Sequence, residues 1–508
     1  MEECWTEVAQ LPVHTKVGLF VLVVLVAFLW RFAGLGKESI WLDEATSLII
    51  ARMDLRSEVA WAAADIHPPL YYFALHFWLR AGETEFSIRA LSAVLGVIAV
   101  AILYALGHEL FGPRAGLLAA LLLALSPLHI WCSQEARMYA MVATMSLWSS
   151  YLLLLALKKG QTRYWLGYVL VSAVAVYTHY FMLFVLLSHN LFALYWLWQN
   201  KSARGIWFRW LMAELAIFLL FLPWLPIFYR QASIRGVGWE DRYLRRPSIY
   251  ALLSTWIYFN IGLDSRLYPL ILRRLAYLLF GIPIVMAIVA PFLERSEVNA
   301  EVGIIRARRE GLMFGLLYTV MPLLTIWLLS QVTPIYAIRY LLPFLPPYYM
   351  IVAHGIHILG RNWLRFALVL CLVLILLVGN WNALRIEQRD DWRGISAYVL
   401  AQAHPGDVVL CSPRWNVKPF DYYARGQVAI NMDLPIPVTM QAAEEVVADI
   451  AQRYTRVWLI WQRGHYSDPN GIVKQLLDSR FQLIEAREFR GMMDLMLYDL
   501  KAARAEGS

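Results

Sequence analysis

The chain is poor in charge and in cysteine. Only 16% of its 508 residues are charged, whereas 60% are hydrophobic and the mean hydropathy is +0.53. A soluble domain is typically about half apolar and a quarter charged, so this apolar excess cannot be hidden in one soluble core and must face lipid. The four cysteines are scattered without paired spacing, which indicates neither a disulfide framework nor a metal cluster.

Two other signatures are missing. No run of lysine and arginine is interleaved with aromatic residues, so the net charge of +8 does not indicate nucleic-acid binding. The basic excess is mostly arginine in short loops between apolar segments, which is typical of membrane topology and of contact with anionic lipids. No glycine-rich loop that would cradle the phosphates of a nucleotide is present, and no internal repeat is apparent.

What is present is a series of apolar stretches, which predicts an α-helical polytopic membrane protein with about eleven transmembrane helices. The stretches fall at roughly 16–33, 88–107, 115–131, 139–157, 164–179, 181–198, 210–228, 268–292, 311–330, 340–358 and 364–381. Arg31 follows the uncharged run Val17–Trp30 of the first stretch, and no small-residue cleavage site is present, so we interpret this stretch as an uncleaved span rather than a signal peptide. Basic short loops, such as those at Lys158 and Lys201, predict the cytoplasmic side.

The loop 34–87 is too long and too apolar for a simple connector. Ser47–Ala64 and Leu70–Leu79 are predicted to form short helices in the membrane interface, and the segment 248–262 is similar. From about residue 385 the chain alternates polar helical patterns with short apolar strands, namely Asp407–Cys411 and Val457–Trp461. We therefore predict a transmembrane domain over 1–384 and a soluble extracytoplasmic α/β domain over 385–508.

The predicted topology brings several polar motifs to the extracytoplasmic side. Asp43 and Glu44 are adjacent carboxylates just after the first span, where a solvated loop with Asp43 as a helix cap is the simpler explanation. Glu135, Arg137 and Tyr139 follow the third span, and an interfacial cap with a snorkelling arginine explains them equally well.

Three further motifs lie on the same side. His67 stands just before a helix start, where exposed N–H groups attract anions. His179 lies in a polar turn between two apolar spans, and Arg339-Tyr340 opens another span. Each motif alone has a structural explanation. Together, cations and carboxylates beside lipid are what a lipid-phosphate ligand requires.

The ordered set of motifs resembles the GT-C glycosyltransferases, specifically glycosyltransferase family 39. These are bacterial relatives of the dolichyl-phosphate-mannose protein mannosyltransferases, and the lipid A aminoarabinose transferase is a near cousin. The similarity covers about the first 380 residues. The matching stretches are Trp41–Ala45, His67–Tyr72, Arg89–Gly96, Ser126–Ala140, Tyr177–Tyr180 and Arg339–Pro343.

The resemblance implies a GT-C-like fold and a role for each site residue. Asp43 matches the catalytic base, Glu44 the second acidic position of the mannosyltransferase motif, and Glu135 the carboxylate of the second loop. His67 stands where the aminoarabinose transferase has a phosphate-binding lysine. A neutral imidazole is a poorer counter-ion, so Arg137 and Arg339 would carry more of the phosphate charge. Tyr139, His179 and Tyr340 are expected to bind substrate.

The implied reaction is transfer of a sugar from a polyprenyl-phosphate donor to an acceptor hydroxyl, with inversion, at the outer face of the inner membrane. Polyprenyl phosphate is a good leaving group, so one carboxylate acting as base suffices. The acceptor hydroxyl belongs to a protein, a lipid or a glycan. No cofactor is required, although a divalent metal on Asp43 and Glu135 is compatible with the family.

Two other readings stay open at this point. A transporter or flippase of lipid-linked sugars would place ionisable residues near mid-membrane, where Glu214 is the clearest acidic residue, and would often show two similar halves. A non-catalytic lipid-binding scaffold would tolerate Asp43→Asn, whereas the enzyme would not.

Overall fold

A computed structural model describes residues 12–200, 204–234, 246–264, 267–293, 299–463, 465 and 467–503. Lys201, one of the basic loop residues used for orientation, lies outside these ranges. By its internal contacts the chain divides into two units. We name Met1–Leu35 with Met53–Ile386 the membrane unit, and Gly36–Arg52 with Glu387–Ser508 the sheet unit.

The membrane unit is helical throughout its described length. Its α-helices are α1 Val13–Phe32, α3 Leu55–Ala64, α4 Leu70–Trp78, α5 Glu85–Phe111, α6 Pro113–Ala124, α7 Pro127–Ser133, α8 Tyr139–Lys159, α9 Thr162–Val176, α10 Met182–Gln199, α11 Arg204–Phe221, α12 Leu225–Ile234, α13 Tyr250–Ile261, α14 Leu270–Leu293, α15 Asn299–Leu329, α16 Leu345–His357 and α17 Asn362–Arg385. The helix α2, Leu42–Ala51, belongs to the sheet unit. Within the described residues eight helices are long and apolar enough to cross a membrane, or nine if one bent pair is a single span. The polytopic helical fold predicted from the sequence is confirmed.

Three of the predicted spans differ from single full-length helices, and proline accounts for two of them. The stretch 115–131 is broken at Ser126-Pro127, where α6 and α7 meet at 60°. The stretch 340–358 begins as a 3-10 helix, Ile338–Phe344, and continues as α16 of only 13 residues. Proline lacks the N–H that would continue the preceding turn. The helix α9 has only 15 residues.

Two polar side chains satisfy carbonyl groups at the ends of α6 and α1. The guanidinium of Arg31 is fully buried and donates to the carbonyl oxygens of Leu123 at 3.0 Å and Ala124 at 3.1 Å. The amide of Gln134 donates in turn to carbonyl oxygens at the end of α1, including that of Ala33 at 2.9 Å. Non-helical backbone inside a membrane protein needs such internal partners.

The helix predicted over Ser47–Ala64 is in fact two helices, α2 and α3. The break lies at Asp54, whose carboxylate accepts hydrogen bonds from the backbone N–H groups of Arg56 at 3.0 Å and Ser57 at 3.2 Å. An aspartate N-cap starts a new helix because it satisfies N–H groups that have no partner in the preceding turn. Farther along α3, the carboxylate of the buried Glu58 lies 2.8 Å from the Nδ1 atom of His76 on α4.

The sheet unit contains one five-stranded sheet and four helices besides α2. The strands are β1 Asp407–Ser412, β2 Ala429–Asn431, β3 Arg456–Gln462, β4 Phe481–Phe489 and β5 Met493–Ala503. The helices are α18 Trp392–Gln402, α19 Val417–Ala424, α20 Met440–Arg453 and α21 Ile472–Arg480. The strand order is β2-β1-β3-β5-β4; β1 is parallel to β2 and β3, and β5 is antiparallel to β3 and β4.

Both faces of the sheet are covered, because side chains of a strand alternate between its two faces. Val408 and Leu410 of β1 pack with α20 and α21, whereas Val409 and Cys411 pack with α18 and α19. The two strands predicted from the sequence, in β1 and β3, are the central ones of this α/β layer structure. The strands β2, β4 and β5 were not predicted, since β2 is only three residues long and β4 is largely exposed.

Candidate functional site

Four aromatic side chains from separate parts of the sequence meet in the membrane unit. His67 precedes α4, Tyr139 begins α8, His179 lies between α9 and α10, and Tyr340 lies in the 3-10 helix before α16. The ring centroid of Tyr340 is 5.1 Å from that of His179, 5.8 Å from that of Tyr139 and 6.2 Å from that of His67. We call these four residues the ring cluster. The sequence analysis selected all four.

Arg339 places a positive charge against this cluster. Its guanidinium carbon lies 6.0 Å from the ring centroid of Tyr139 and 5.6 Å from that of Trp131 on α7. A guanidinium at such distances is attracted by the negative faces of the rings. The side chain is half-buried, so the charge is held at the cluster by aromatic surfaces.

His67 is coupled to a second arginine through an aspartate. Its Nδ1 atom lies 3.4 Å from a carboxylate oxygen of Asp65. Burial alone would raise the pKa of Asp65, but the hydrogen bond from His67 and the positive charges of His67 and Arg137 lower it. The lowered pKa of Asp65 favours its ionised form, so a carboxylate with negative charge lies beside the imidazole of His67.

The turn that carries Glu135 and Arg137 is buried and held by its backbone. The Arg137 N–H donates to the Glu135 carbonyl oxygen at 2.8 Å, and the Arg137 carbonyl accepts from the Ser92 hydroxyl at 3.2 Å. Glu135 is fully buried, and Arg137 is 5% exposed. Charged side chains this far from water are rarely retained without charged or hydrogen-bonding surroundings. This turn is thus a fixed, charged element of the membrane unit.

Backbone contacts join the His67 loop to the His179 turn. The Leu70 N–H at the start of α4 donates to the Tyr177 carbonyl oxygen at 3.1 Å. The Nδ1 atom of His179 accepts from the Phe181 N–H at 3.1 Å. Nδ1 therefore carries no proton, and any proton on the ring is at Nε2. The local fold sets the tautomer and the orientation of this imidazole.

Asp43 and Glu44 lie in the sheet unit, in the first turn of α2. The N-cap of this helix is Trp41 rather than Asp43, so the capping explanation for Asp43 is wrong. Asp43 is half-buried, whereas Glu44 is fully buried and forms an ion pair with Arg389 at 2.8 Å. Two negative charges in a first helical turn also interact favourably with the helix dipole.

Three residues of these sites were not selected from the sequence. Asp65 stands two positions before His67, a spacing that was visible but not used. Trp131 lies in an apolar stretch and carried no separate signal. Arg389 lies in the strongly polar segment Gln388–Arg393, whose role the sequence left open. Among the residues that the structure describes, no group of three or more histidine, cysteine, aspartate or glutamate side chains could hold a metal ion.

Comparisons with known proteins agree with the motif-based resemblance. Residues 66–227 match the family model described as dolichyl-phosphate-mannose-protein mannosyltransferase. This range contains His67, Glu135, Arg137, Tyr139 and His179. No curated protein matches the chain.

Among solved structures the chain is similar to ArnT from Cupriavidus metallidurans, in the apo state and bound to undecaprenyl phosphate, with a TM-score of 0.61 for both. The identity is 10% and 11%, and the match covers 97% of this chain and 100% of the other. It is also similar to the oligosaccharyltransferase AglB from Archaeoglobus fulgidus in complex with an inhibitory peptide and a dolichol-phosphate. There the TM-score is 0.52, the identity 13%, and the coverage 88% of this chain and 69% of the other.

The fold is thus shared along almost the whole chain, while the family model matches the part that carries most of the ring cluster. Both findings point the same way as the ordered motifs. The resemblance drawn from the sequence is confirmed: this chain is a membrane protein with the GT-C fold, and its residues 66–227 match the family model described as dolichyl-phosphate-mannose-protein mannosyltransferase.

Proposed function

We propose that this protein is a membrane glycosyltransferase that moves a sugar from a polyprenyl-phosphate donor to an acceptor hydroxyl. The observation that carries the proposal is the ring cluster with Arg339 against it, because a site for a lipid-linked sugar needs aromatic surface beside a cation. The GT-C fold supports the proposal. One similar structure is bound to undecaprenyl phosphate and another to a dolichol-phosphate.

The donor phosphate is assigned to Arg339 and Arg137, with His67 as an additional partner. Arginine presents several N–H donors in a planar fork that suits phosphate oxygens. The Nδ1 atom of His67 faces the Asp65 carboxylate at 3.4 Å, and the ring belongs to the same cluster as Tyr340. Tyr139, His179 and Tyr340 are assigned to the sugar, and Glu135 to the same site as a second carboxylate.

Asp43 is assigned the role of general base. Its carboxylate takes the proton of the acceptor hydroxyl as that oxygen attacks the anomeric carbon. The bond from the anomeric carbon to the phosphate oxygen breaks at the same time. The configuration at the anomeric carbon is therefore inverted, and polyprenyl phosphate leaves as the anion. The arginines stabilise the charge that develops on that phosphate.

The remaining assignments follow from the family resemblance and the apolar helices. We place the protein in the inner membrane with its active site on the extracytoplasmic side, where it serves glycosylation of the cell envelope. The acceptor is a hydroxyl of a protein, a lipid or a glycan. A divalent metal is not required by this mechanism.

The proposal is tested with purified protein in lipid and a panel of undecaprenyl-phosphate-linked sugars, with membrane glycolipids as acceptors. Release of undecaprenyl phosphate and transfer of label are both measured. Asp43→Asn should lower turnover by about 10²–10⁴-fold, the usual contribution of a general base, with the protein still folded and inserted. Asp54→Asn is the matched control, because asparagine replaces aspartate equally well as an N-cap. Full turnover of Asp43→Asn would refute the base assignment, and a wild type inactive on every donor with protein, lipid and glycan acceptors would refute the function.

A further inference from the structure

The segment that carries Asp43 is bound to the first residues of the C-terminal part of the chain. The carboxylate of Glu38 accepts hydrogen bonds from the backbone N–H groups of Gln388 at 2.8 Å and Arg389 at 3.1 Å. In the opposite direction, the Arg393 guanidinium donates to the carbonyl oxygens of Gly36 and Lys37 at 3.1 and 3.2 Å. These reciprocal bonds fix the entry to α2 on the sheet unit.

The helix α2 itself is attached to α19. The backbone N–H of Ile40 donates to the Tyr423 hydroxyl at 2.8 Å, and Lys418 donates to the Thr46 hydroxyl at 3.2 Å. Gly36–Arg52 is thus a structural part of the sheet unit, although residues 53–386 separate it in sequence from the rest.

The central contact is the ion pair between Arg389 and Glu44. Its N–O distance is 2.8 Å, and the two side chains are 9% and 0% exposed. The backbone of Arg389 is held on both sides, because its N–H donates to Glu38 and its carbonyl oxygen accepts from the Arg490 side chain at 2.6 Å. The guanidinium of Arg389 therefore reaches Glu44 from a backbone that is anchored by hydrogen bonds. An unpaired charge at this depth would be strongly unfavourable.

We propose that Arg389 is a positioning residue for Asp43, with Glu44 as its anchor rather than as a second catalytic carboxylate. Consecutive side chains on an α-helix differ by about 100° in direction. By holding Glu44 against the sheet unit, Arg389 sets the rotation of α2 and with it the direction of the neighbouring Asp43. The sheet unit then contributes to catalysis by orienting the base. This inference rests on the proposed role of Asp43.

The test compares substitutions at the two ends of the ion pair in the full-length protein. Arg389→Ala should lower kcat by about 10–100-fold, while the affinity for undecaprenyl phosphate stays unchanged, because the phosphate ligands are assigned to the membrane unit. Hydrogen exchange should increase in α2 and not in β1 or β3. Arg389→Lys should recover part of kcat, since it keeps the charge, and it serves as the second variant if the alanine protein is poorly folded.

A double-mutant cycle sharpens the result. Glu44→Ala should resemble Arg389→Ala, and the double variant should be no worse than either alone, because both remove the same contact. Glu44→Gln retains a hydrogen-bond acceptor for Arg389 and should lose less than tenfold in kcat. Arg480→Ala is the control, as its pair with Glu444 lies exposed in the same unit, and it should leave kcat and exchange unchanged.

Each other outcome overturns the proposal. Wild-type kcat in Arg389→Ala would show that the pair does not position the base. Increased exchange throughout the sheet unit would show that it only stabilises the fold. A kcat loss in Glu44→Gln as large as in Asp43→Asn would make Glu44 a catalytic group. Failure of the proposed function is distinct, because the wild type would then be inactive on every donor while Arg389→Ala still loosened α2. Failure of the base assignment alone would leave Asp43→Asn with full turnover.

Discussion

Two polar groups of the membrane unit differ in where their side chains stand on the helices. The ring cluster and its arginines come from turns, helix starts and a 3-10 segment. The second group, which we call the mid-helix network, lies within helices: Ser150, Tyr168, His189, Asn190 and Glu214. Here the Tyr168 hydroxyl donates to Glu214 at 2.8 Å, the Asn190 amide lies 3.3 Å from the other carboxylate oxygen, and Ser150 is 2.7 Å from His189.

This difference distinguishes the ring cluster, a candidate binding site, from the mid-helix network, a set of packing contacts. In the mid-helix network the hydrogen bonds run between side chains of neighbouring helices, which is how polar residues join helices in lipid. In the ring cluster the side chains are presented at helix ends, and the guanidinium of Arg339 lies against the rings of Trp131 and Tyr139. An ionisable residue within a span is a functional candidate by default, yet the bonds to Glu214 account for its presence. The transporter reading built on Glu214 is not favoured by the GT-C fold.

The largest effect on ligand binding is expected at Arg339. Arg339→Ala removes the cation from the ring cluster and should weaken binding of undecaprenyl phosphate by about 10–100-fold, the equivalent of one charge-assisted hydrogen bond. Titration of the purified protein with the lipid phosphate measures this directly. Arg339→Lys should retain part of the affinity. Unchanged binding of undecaprenyl phosphate in Arg339→Ala would show that the ring cluster is not part of the donor site.

A smaller effect is expected at Arg137. Arg137→Gln keeps hydrogen-bond donors in the buried turn but removes the charge, and should weaken binding of the same lipid by roughly tenfold. The charge also lowers the pKa of Asp65, so the carboxylate of Asp65 should protonate at higher pH in this variant. The control is Arg163→Gln, an exposed arginine at the start of α9. If both Arg137→Gln and Arg339→Ala bind normally, the phosphate assignment is wrong.

The smallest effect is expected in the mid-helix network. Glu214→Ala removes the acceptor of the Tyr168 hydroxyl and the interhelical acceptor of the Asn190 amide, which keeps its bond to the Leu186 carbonyl oxygen. The loss should cost about 0.6 kcal/mol of stability for each interhelical bond. Binding of undecaprenyl phosphate and turnover should not change. Thermal unfolding in detergent measures the loss of stability, and the transfer assay measures the turnover. Loss of turnover without loss of stability would show that the mid-helix network belongs to the functional site and is not a packing contact.

The ring cluster was largely predictable because its residues interrupt apolar spans. In such a sequence a polar residue at a span end is conspicuous, and alternating topology assigns it to one face without knowledge of any contact. His67, Tyr139, His179 and Tyr340 were selected on this basis, and the structure brings them together. Their roles in binding remain predictions.

Contacts inside the sheet unit were not predictable in the same way. Glu44 and Arg389 are 345 positions apart, and a polar segment offers many equivalent partners for one carboxylate. Similarly, the hydrogen bonds from the buried Arg31 to carbonyl oxygens at the end of α6 were not predictable, because from the sequence Arg31 was only a charge after the first apolar run. Such pairings depend on the three-dimensional path of the chain.

The sequence by itself determined the membrane class, the helical architecture and the group of residues at the helix ends, since lipid leaves few alternatives for apolar runs of this length. Only the tertiary structure decided that the segment with Asp43 is part of the sheet unit, and that Glu44 is paired and buried. Burial and pairing are properties of the folded chain, because the free energy needed to remove a charge from water is offset only by the partner that the fold brings to it.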